Sequence, residues 1–136
     1  MATITAAKIT EAGLTSSLST CTASGDDFIN TGIEFIRIQN THASATYSIK
    51  IEAQTTTYKN AQYGILNRNH IYKTVAAATN SAYFGPFKPG SFNNGNEKVK
   101  IYYKTGSGTT DTTWNALSTT LAGAHLLKIE VLYLDN

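Results

Sequence analysis

The stretch that most constrains the fold covers residues 32–54, where two alternating runs flank a short polar segment. In the second run, apolar and polar side chains take turns at successive positions. The apolar set is Tyr47, Ile49, Ile51 and Ala53, and the polar set is Ser48, Lys50, Glu52 and Gln54. A period of two residues is typical of a strand with one face in the core and one in solvent. We therefore expect a half-buried β-strand here.

The first run is apolar on both faces at its start, because Ile33 and Phe35 alternate with Ile36 and Ile38. Such a strand lies deeper in a sheet than a half-exposed one. Residues 40–44 between the two runs are turn formers without an Asn-Gly pair. We therefore expect the two runs to pair as a β-hairpin with a four- or five-residue turn.

Shorter strand signals recur along the rest of the chain and are separated by turn residues. They cover residues 3–9, 70–75, 82–87, 98–104 and 126–134. The last of these is apolar on both faces, which indicates a central strand or an oligomer contact. The 82–87 signal contains Pro86, so it should lie at a sheet edge or end at Gly85. The length and mixed polar and aromatic composition of residues 55–69 predict a long connection, either a functional surface loop or a crossover between sheets.

This pattern predicts a single all-β domain over residues 1–136, built as an antiparallel β-sandwich of jelly-roll-like form with long loops. A closed barrel is the alternative. Residues 1–24 are weakly apolar and form a candidate N-terminal arm, of the kind that pairs at a sheet edge or against a neighbouring subunit.

Charge and composition argue against several classes of partner. The net charge of +2 comes from eleven basic and nine acidic residues that are scattered in sequence. No basic run could neutralise successive phosphates, so we expect no nucleic acid. No signal peptide or apolar membrane-spanning stretch is visible, and we expect no membrane partner. Cys21 is the single cysteine, which excludes a disulfide within the chain.

The sequence gives no pattern for catalysis or for metal binding. His42, His70 and His125 are far apart in sequence. Asp26 and Asp27 could offer oxygen ligands to Ca²⁺, but turn geometry explains them more simply. Neither a nucleophile elbow nor a phosphate-binding loop occurs. We therefore expect a protein that is not an enzyme and that holds no metal and no cofactor.

Several aromatic residues lie in or beside the predicted loops and are expected to be exposed. They are Tyr58, Tyr63, Tyr72, Tyr83 and Trp114. Exposed rings contact protein partners or stack on sugars. We favour protein contact; a glycan site would use Tyr58, Tyr63 and Trp114.

Five short motifs carry a family resemblance from about residue 25 onward. They are Gly25-Asp-Asp-Phe-Ile-Asn-Thr-Gly32, Phe35-Ile-Arg-Ile-Gln-Asn40, Tyr83-Phe-Gly-Pro-Phe87, Phe92-Asn93 and Val99-Lys-Ile-Tyr102. In these motifs the chain resembles the small β-sandwich decoration, or cement, proteins of tailed bacteriophages. Residues 55–69 and 105–124 look like additions to the family pattern.

The resemblance implies a non-enzymatic virion protein, made in the host cytoplasm, that binds the outer surface of an assembled head and stabilises it. It also implies a homotrimer whose partner is the major capsid protein. In addition to the N-terminal arm, our candidate contact residues are Phe28, Ile29, Tyr58, Tyr63, Ile65 and Leu66. The alternatives are a carbohydrate-binding or adhesion module and a structural component of a phage tail.

Overall fold

The computed structural model describes residues 1–54, 57–67, 69–107, 114 and 126–134, with backbone alone for residues 57–60 and 66–67. These ranges contain twelve strands and one short helix. The strands are β1 (Ala2–Thr3), β2 (Ala6–Ile9), β3 (Ser19–Thr20), β4 (Asp26–Ile29), β5 (Phe35–Asn40), β6 (Tyr47–Ile51), β7 (Thr57–Asn60), β8 (Gly64–Asn67), β9 (Ile71–Val75), β10 (Asn80–Phe84), β11 (Lys98–Thr105) and β12 (Leu127–Leu134). The helix is α1 (Pro89–Phe92).

Two sheets form the body of the protein, and their inner faces enclose one hydrophobic core. The first sheet has the order β1-β4-β11-β6-β9. The second has the order β10-β5-β12-β2, with β3 also paired to β12. The predicted β-sandwich is confirmed. Most pairs are antiparallel, but β1 pairs with β4 and β2 pairs with β12 in parallel.

The predicted hairpin between β5 and β6 is wrong. β5 lies between β10 and β12 in the second sheet, whereas β6 lies between β11 and β9 in the first. Each strand turns an apolar row to the same core, with Ile36 and Ile38 on β5 and Ile49 and Ile51 on β6 all fully buried. The connection is therefore an arch from one sheet to the other. Alternation specifies which face of a strand is buried, but two strands with the same alternation can pair or can face each other across a core.

The polar face of β6 is also more covered than expected. Ser48 is buried, and its Oγ donates to the carbonyl oxygen of Gly106 at 2.7 Å. Lys50 and Glu52 are half-buried. This face is therefore only partly open to solvent.

The described part of residues 55–69 is not the predicted loop or crossover. It is a β-hairpin, in which β7 pairs with β8 apart from the two main sheets. It is inserted between β6 and β9, which are neighbours in the same sheet. The chain therefore leaves the sandwich, forms a small two-stranded projection and returns beside the strand that it left.

The other strand predictions agree with the structure. The inward row of β11 is Val99, Ile101 and Tyr103, and all three are fully buried. β12 is central in its sheet, between β5 and β2. β10 is an edge strand that ends at Phe84, immediately before the cis Gly85–Pro86 bond.

The N-terminal segment contributes to both sheets. β1 is the outermost strand of the first sheet and β2 lies at an edge of the second, so the chain crosses between the sheets at residues 4–5. The predicted strand over residues 3–9 is divided into two, and both parts lie at sheet edges as expected. Within this chain the segment is paired.

Candidate interaction surface

Phe28 is not available for contact with a partner. Its ring is fully buried and lies 5.7 Å from the ring of Phe87, which in turn lies 5.7 Å from that of Phe92. The prediction of Phe28 as a contact residue is therefore wrong. The period of two along β4 gives the reason, since it directs Phe28 inward and its neighbour Ile29 outward.

Ile29 is exposed, as a contact residue must be, with 55% of its surface accessible. Beside it, Ile33 on the connection from β4 to β5 is 49% exposed. Both border a groove of about 430 Å³, which we call the terminal groove. Its other lining residues are Thr3, Ile4, Thr5, Ala6, Thr31, Glu34 and Tyr133. Ile33 was not among the predicted contact residues, although its position directly after Gly32 and outside the buried row of β5 was a usable signal.

Glu34 holds the connection that presents Ile33. Its carboxylate accepts hydrogen bonds from the backbone N–H groups of Thr31 at 2.7 Å and Gly32 at 3.2 Å, and from Thr31 Oγ1 at 2.9 Å. Burial raises the pKa of Glu34, but the hydrogen bonds from Thr31 and its neighbours outweigh burial, so the net pKa is lowered. The ionised carboxylate therefore fixes this rim of the terminal groove.

A second apolar surface lies on the β7–β8 hairpin. Tyr63 in its turn is 67% exposed and Ile65 on β8 is 68% exposed. The predicted contacts Tyr58 and Leu66 belong to the same hairpin, but their side chains lie outside the described part of the chain. We call Tyr63 and Ile65 the hairpin patch.

Strand register relates the terminal groove to the base of this hairpin. Ile29 is opposite Lys98 at the start of β11, and Glu52, just after β6, donates its N–H to the carbonyl oxygen of Lys100. Ile29 and the departure point of the hairpin therefore lie toward the same end of the first sheet, on the two strands that flank β11.

Trp114 is not the exposed ring that the sequence led us to expect. It is 7% exposed, its ring centroid is 5.4 Å from that of Tyr72, and Lys104 Nζ lies 5.1 Å from the centroid of Trp114. In this position it offers little ring surface to a sugar. Tyr83 on the edge strand β10 is 64% exposed, as expected.

Three of the five motifs singled out in the sequence meet around one buried side chain. Asn30 Nδ2 donates to the carbonyl oxygen of Phe87 at 3.0 Å and to Asn93 Oδ1 at 2.6 Å. In return, Asn93 Nδ2 donates to the carbonyl oxygen of Asn30 at 2.8 Å. Segments that are far apart in sequence thus share one packed region, in which Asn30 and Asn93 stabilise the fold.

The acidic residues considered for Ca²⁺ have protein partners. Asp26 is fully buried and accepts from Tyr103 Oη at 2.8 Å and from the N–H of Thr22 at 3.1 Å. Asp27 accepts from Lys98 Nζ at 3.2 Å. Among the residues that the structure describes, no group of three or more His, Cys, Asp or Glu side chains could hold a metal ion.

The histidines and the cysteine are embedded in local structure. His42 Nδ1 accepts from the N–H of Ala45, and His70 Nδ1 accepts from the N–H of Ala53, both at 2.9 Å. His125 lies outside the described residues. Cys21 is buried, and burial raises the pKa of its thiol far above the usual range.

Comparison of the chain with family models, with curated proteins and with solved structures finds no match in any of the three. Among the described residues, no helix has the length and apolar character needed to cross a membrane.

Proposed function

We propose that this chain is a capsid decoration protein that binds the outer surface of a phage head and stabilises it. The observation that carries the proposal is that three of the five family-like motifs meet around Asn30. Asn30 joins its own motif to those that contain Phe87 and Asn93. The residues of these three motifs therefore lie together in one packed region of the fold.

The terminal groove and the hairpin patch are the surfaces proposed to bind the major capsid protein. Together they expose Ile29, Ile33, Tyr63 and Ile65, each with about half or more of its surface accessible. A few well-packed side chains near the centre of an interface, often aromatic ones such as tyrosine, supply most of its binding energy. In a trimer at a capsid symmetry axis, three copies of each surface would act together, so modest contacts would add by avidity.

The test uses heads of the encoding virus assembled without this protein. Purified protein is added, and binding is measured by co-sedimentation and thermal stability of the heads by light scattering. Ile29→Asp and Tyr63→Ser are the test variants. Leu14→Asp and Tyr83→Ser are matched controls, because they change exposed side chains of similar type outside both surfaces.

We expect wild type and both controls to bind and to raise the disruption temperature of the heads, and at least one test variant to lose about tenfold or more in affinity, as loss of a buried anchor does. Failure of the wild-type protein to bind would overturn the proposal. Equal binding by all four variants would remove these two surfaces as the contact.

A further inference from the structure

The N-terminal segment, residues 1–9, adds a strand to each sheet, and neither strand pairs with a neighbour in sequence. β1 pairs with β4 through two residue pairs, and β2 pairs with β12 through four. Both pairings are parallel and join strands distant in sequence, so no hairpin turn ties the segment to its partners. Its place in this subunit depends on the edges that it covers and on a few polar contacts, such as the hydrogen bond from Lys98 Nζ to Thr3 Oγ1.

The segment packs loosely. Ile4 and Ala6 are its only side chains that pack against the core, and both are only partly buried. The terminal groove borders residues 3–6 on one side, and a second groove of about 420 Å³, which reaches Leu14 and Glu130, borders residues 3–7 on the other. Little apolar area therefore has to be uncovered for the segment to leave.

An exposed turn follows the segment and can act as a hinge. Gly13 donates its N–H to the carbonyl oxygen of Thr10 at 2.8 Å and has a φ of +87°. Residues 10–15 are all exposed, and the chain is next anchored where Ser16 Oγ donates to the Glu130 carboxylate at 2.9 Å. Fully extended, these six residues would span about 20 Å.

We propose that residues 1–9 exchange between copies of this chain, so that β1 and β2 of one copy complete the sheets of another. A second copy is the fitting partner because its segment has the same sequence and re-forms every native contact, including the hydrogen bond from Thr3 Oγ1 to Asp27 at 2.6 Å. Exchange of an identical element changes only the conformation of the hinge and is a low-cost route to a homo-oligomer. This inference does not rest on the proposed function.

The test asks whether β2 of one chain lies beside β12 of another. Ala7 and Leu132 are paired in register across these strands. In a Cys21→Ala background, chains carrying Ala7→Cys alone are mixed with chains carrying Leu132→Cys alone, refolded together from denaturant and oxidised. Disulfide-linked dimers are counted by non-reducing electrophoresis.

Two controls set the limits of this measurement. A double variant with both cysteines in one chain shows that the pair can form a disulfide. A mixture of Gln39→Cys and Lys128→Cys chains, paired across β5 and β12, measures cross-linking by random collision.

A hinge variant sharpens the test. Gly13→Pro cannot adopt a positive φ and removes the N–H that closes the turn, so it disfavours the closed hinge. Gly106→Pro is the matched control, because Gly106 has a φ of +91°, has open space around it and donates its N–H to the carbonyl oxygen of Thr46.

We expect more dimers from the Ala7→Cys and Leu132→Cys mixture than from the collision control. Gly13→Pro should raise the ratio of dimer to monomer about fivefold, which corresponds to about 1 kcal/mol, while Gly106→Pro should not. A yield no higher than the collision control, from chains whose double variant forms the disulfide, would overturn the proposal. If Gly13→Pro does not fold, the comparison of the two cysteine mixtures in chains that retain Gly13 tests the proposal by itself.

Discussion

The side chain of Asn40 joins the two sheets by donating from Nδ2 to the carbonyl oxygen of Val75 at 3.1 Å. Asn40 ends β5 in the second sheet, and Val75 ends β9 in the first. The same amide nitrogen lies within hydrogen-bond distance of the carbonyl oxygens of Ala45 and Ala76, and Asn40 Oδ1 accepts from the N–H of His42. Asn40 is fully buried, so these contacts replace all of its hydration.

Asn40→Asp should destabilise the protein at neutral pH by about 3–5 kcal/mol, because an unpaired carboxylate would face three carbonyl oxygens in the core. The pKa of this new carboxyl would be raised, so the penalty should be smallest below about pH 4 and should grow as pH rises above it. Urea unfolding at a series of pH values measures this. Asn80→Asp, at an exposed position, is the control, and equal losses in the two variants would contradict the role assigned to Asn40.

Gly25→Ala should cost about 3 kcal/mol, whereas Gly106→Ala should cost about 1 kcal/mol. Both glycines have a positive φ, but a Cβ on Gly25 would lie 2.5 Å from the carbonyl oxygen of Ile101, while one on Gly106 would meet no atom within 4 Å. Thermal unfolding of the two variants separates the cost of backbone strain, which both share, from the cost of the steric clash, which only Gly25→Ala has. A smaller loss for Gly25→Ala than for Gly106→Ala would refute the close approach to β11.

Glu34→Gln should destabilise the connection after β4 by about 1–3 kcal/mol at pH 7, because it removes a carboxylate that accepts several hydrogen bonds. The folded-state pKa of Glu34 is lowered, so its contribution is present above the unfolded value near 4.5 and is lost as pH falls through the folded value. The gap between wild type and variant should therefore narrow in acid. Chemical denaturation at pH 7 and below pH 4 tests this, with Glu11→Gln as an exposed control.

His70→Asn should make stability less sensitive to mild acid. Burial, followed by the nearby Lys50 charge, lowers the pKa of His70 below 6.5. Wild-type stability should therefore fall as pH drops from about 6.5 toward the folded-state pKa, because the unfolded chain binds the proton first. Asparagine can still accept from the N–H of Ala53 but does not titrate. A melting temperature that declines equally in both proteins between pH 7 and pH 5 would count against this assignment.

Thr79→Gly should stabilise the turn between β9 and β10. Ala78 and Thr79 both adopt a left-handed conformation, with φ of 65° and 64°. This conformation costs a residue with a side chain about 1–2 kcal/mol, part of which glycine loses again through the entropy of its unfolded state. We expect a net gain of about 0.5–1 kcal/mol, read as a higher melting temperature. An unchanged or lower melting temperature would show that the Thr79 side chain makes a compensating contact.

The sequence was sufficient to predict the fold class and the strands β5, β6 and β9 to β12, because a buried face leaves a period of two in the chain, but it did not predict β3, β4, β7 or β8. It was insufficient to predict which strands pair. β5 and β6 show the same alternation of apolar and polar residues whether they lie in one sheet or face each other across the core. The residues of the candidate surface were likewise only partly predictable from the sequence. The alternation of β4 separates Ile29 from Phe28 once the buried face is known, whereas the burial of Trp114 against Tyr72 and Lys104 depends on side chains from two other strands.

The central place of β12 has a consequence for synthesis of the protein. β12 separates β5 from β2 and β3, so the second sheet has no continuous ladder until Leu127–Leu134 have left the ribosome. Until then β5 and β10 present an unpaired edge, and the core face of the first sheet is only partly covered. The nascent chain must therefore wait for this strand before the sandwich closes, and a chain interrupted before residue 127 would carry an open edge suited to aggregation.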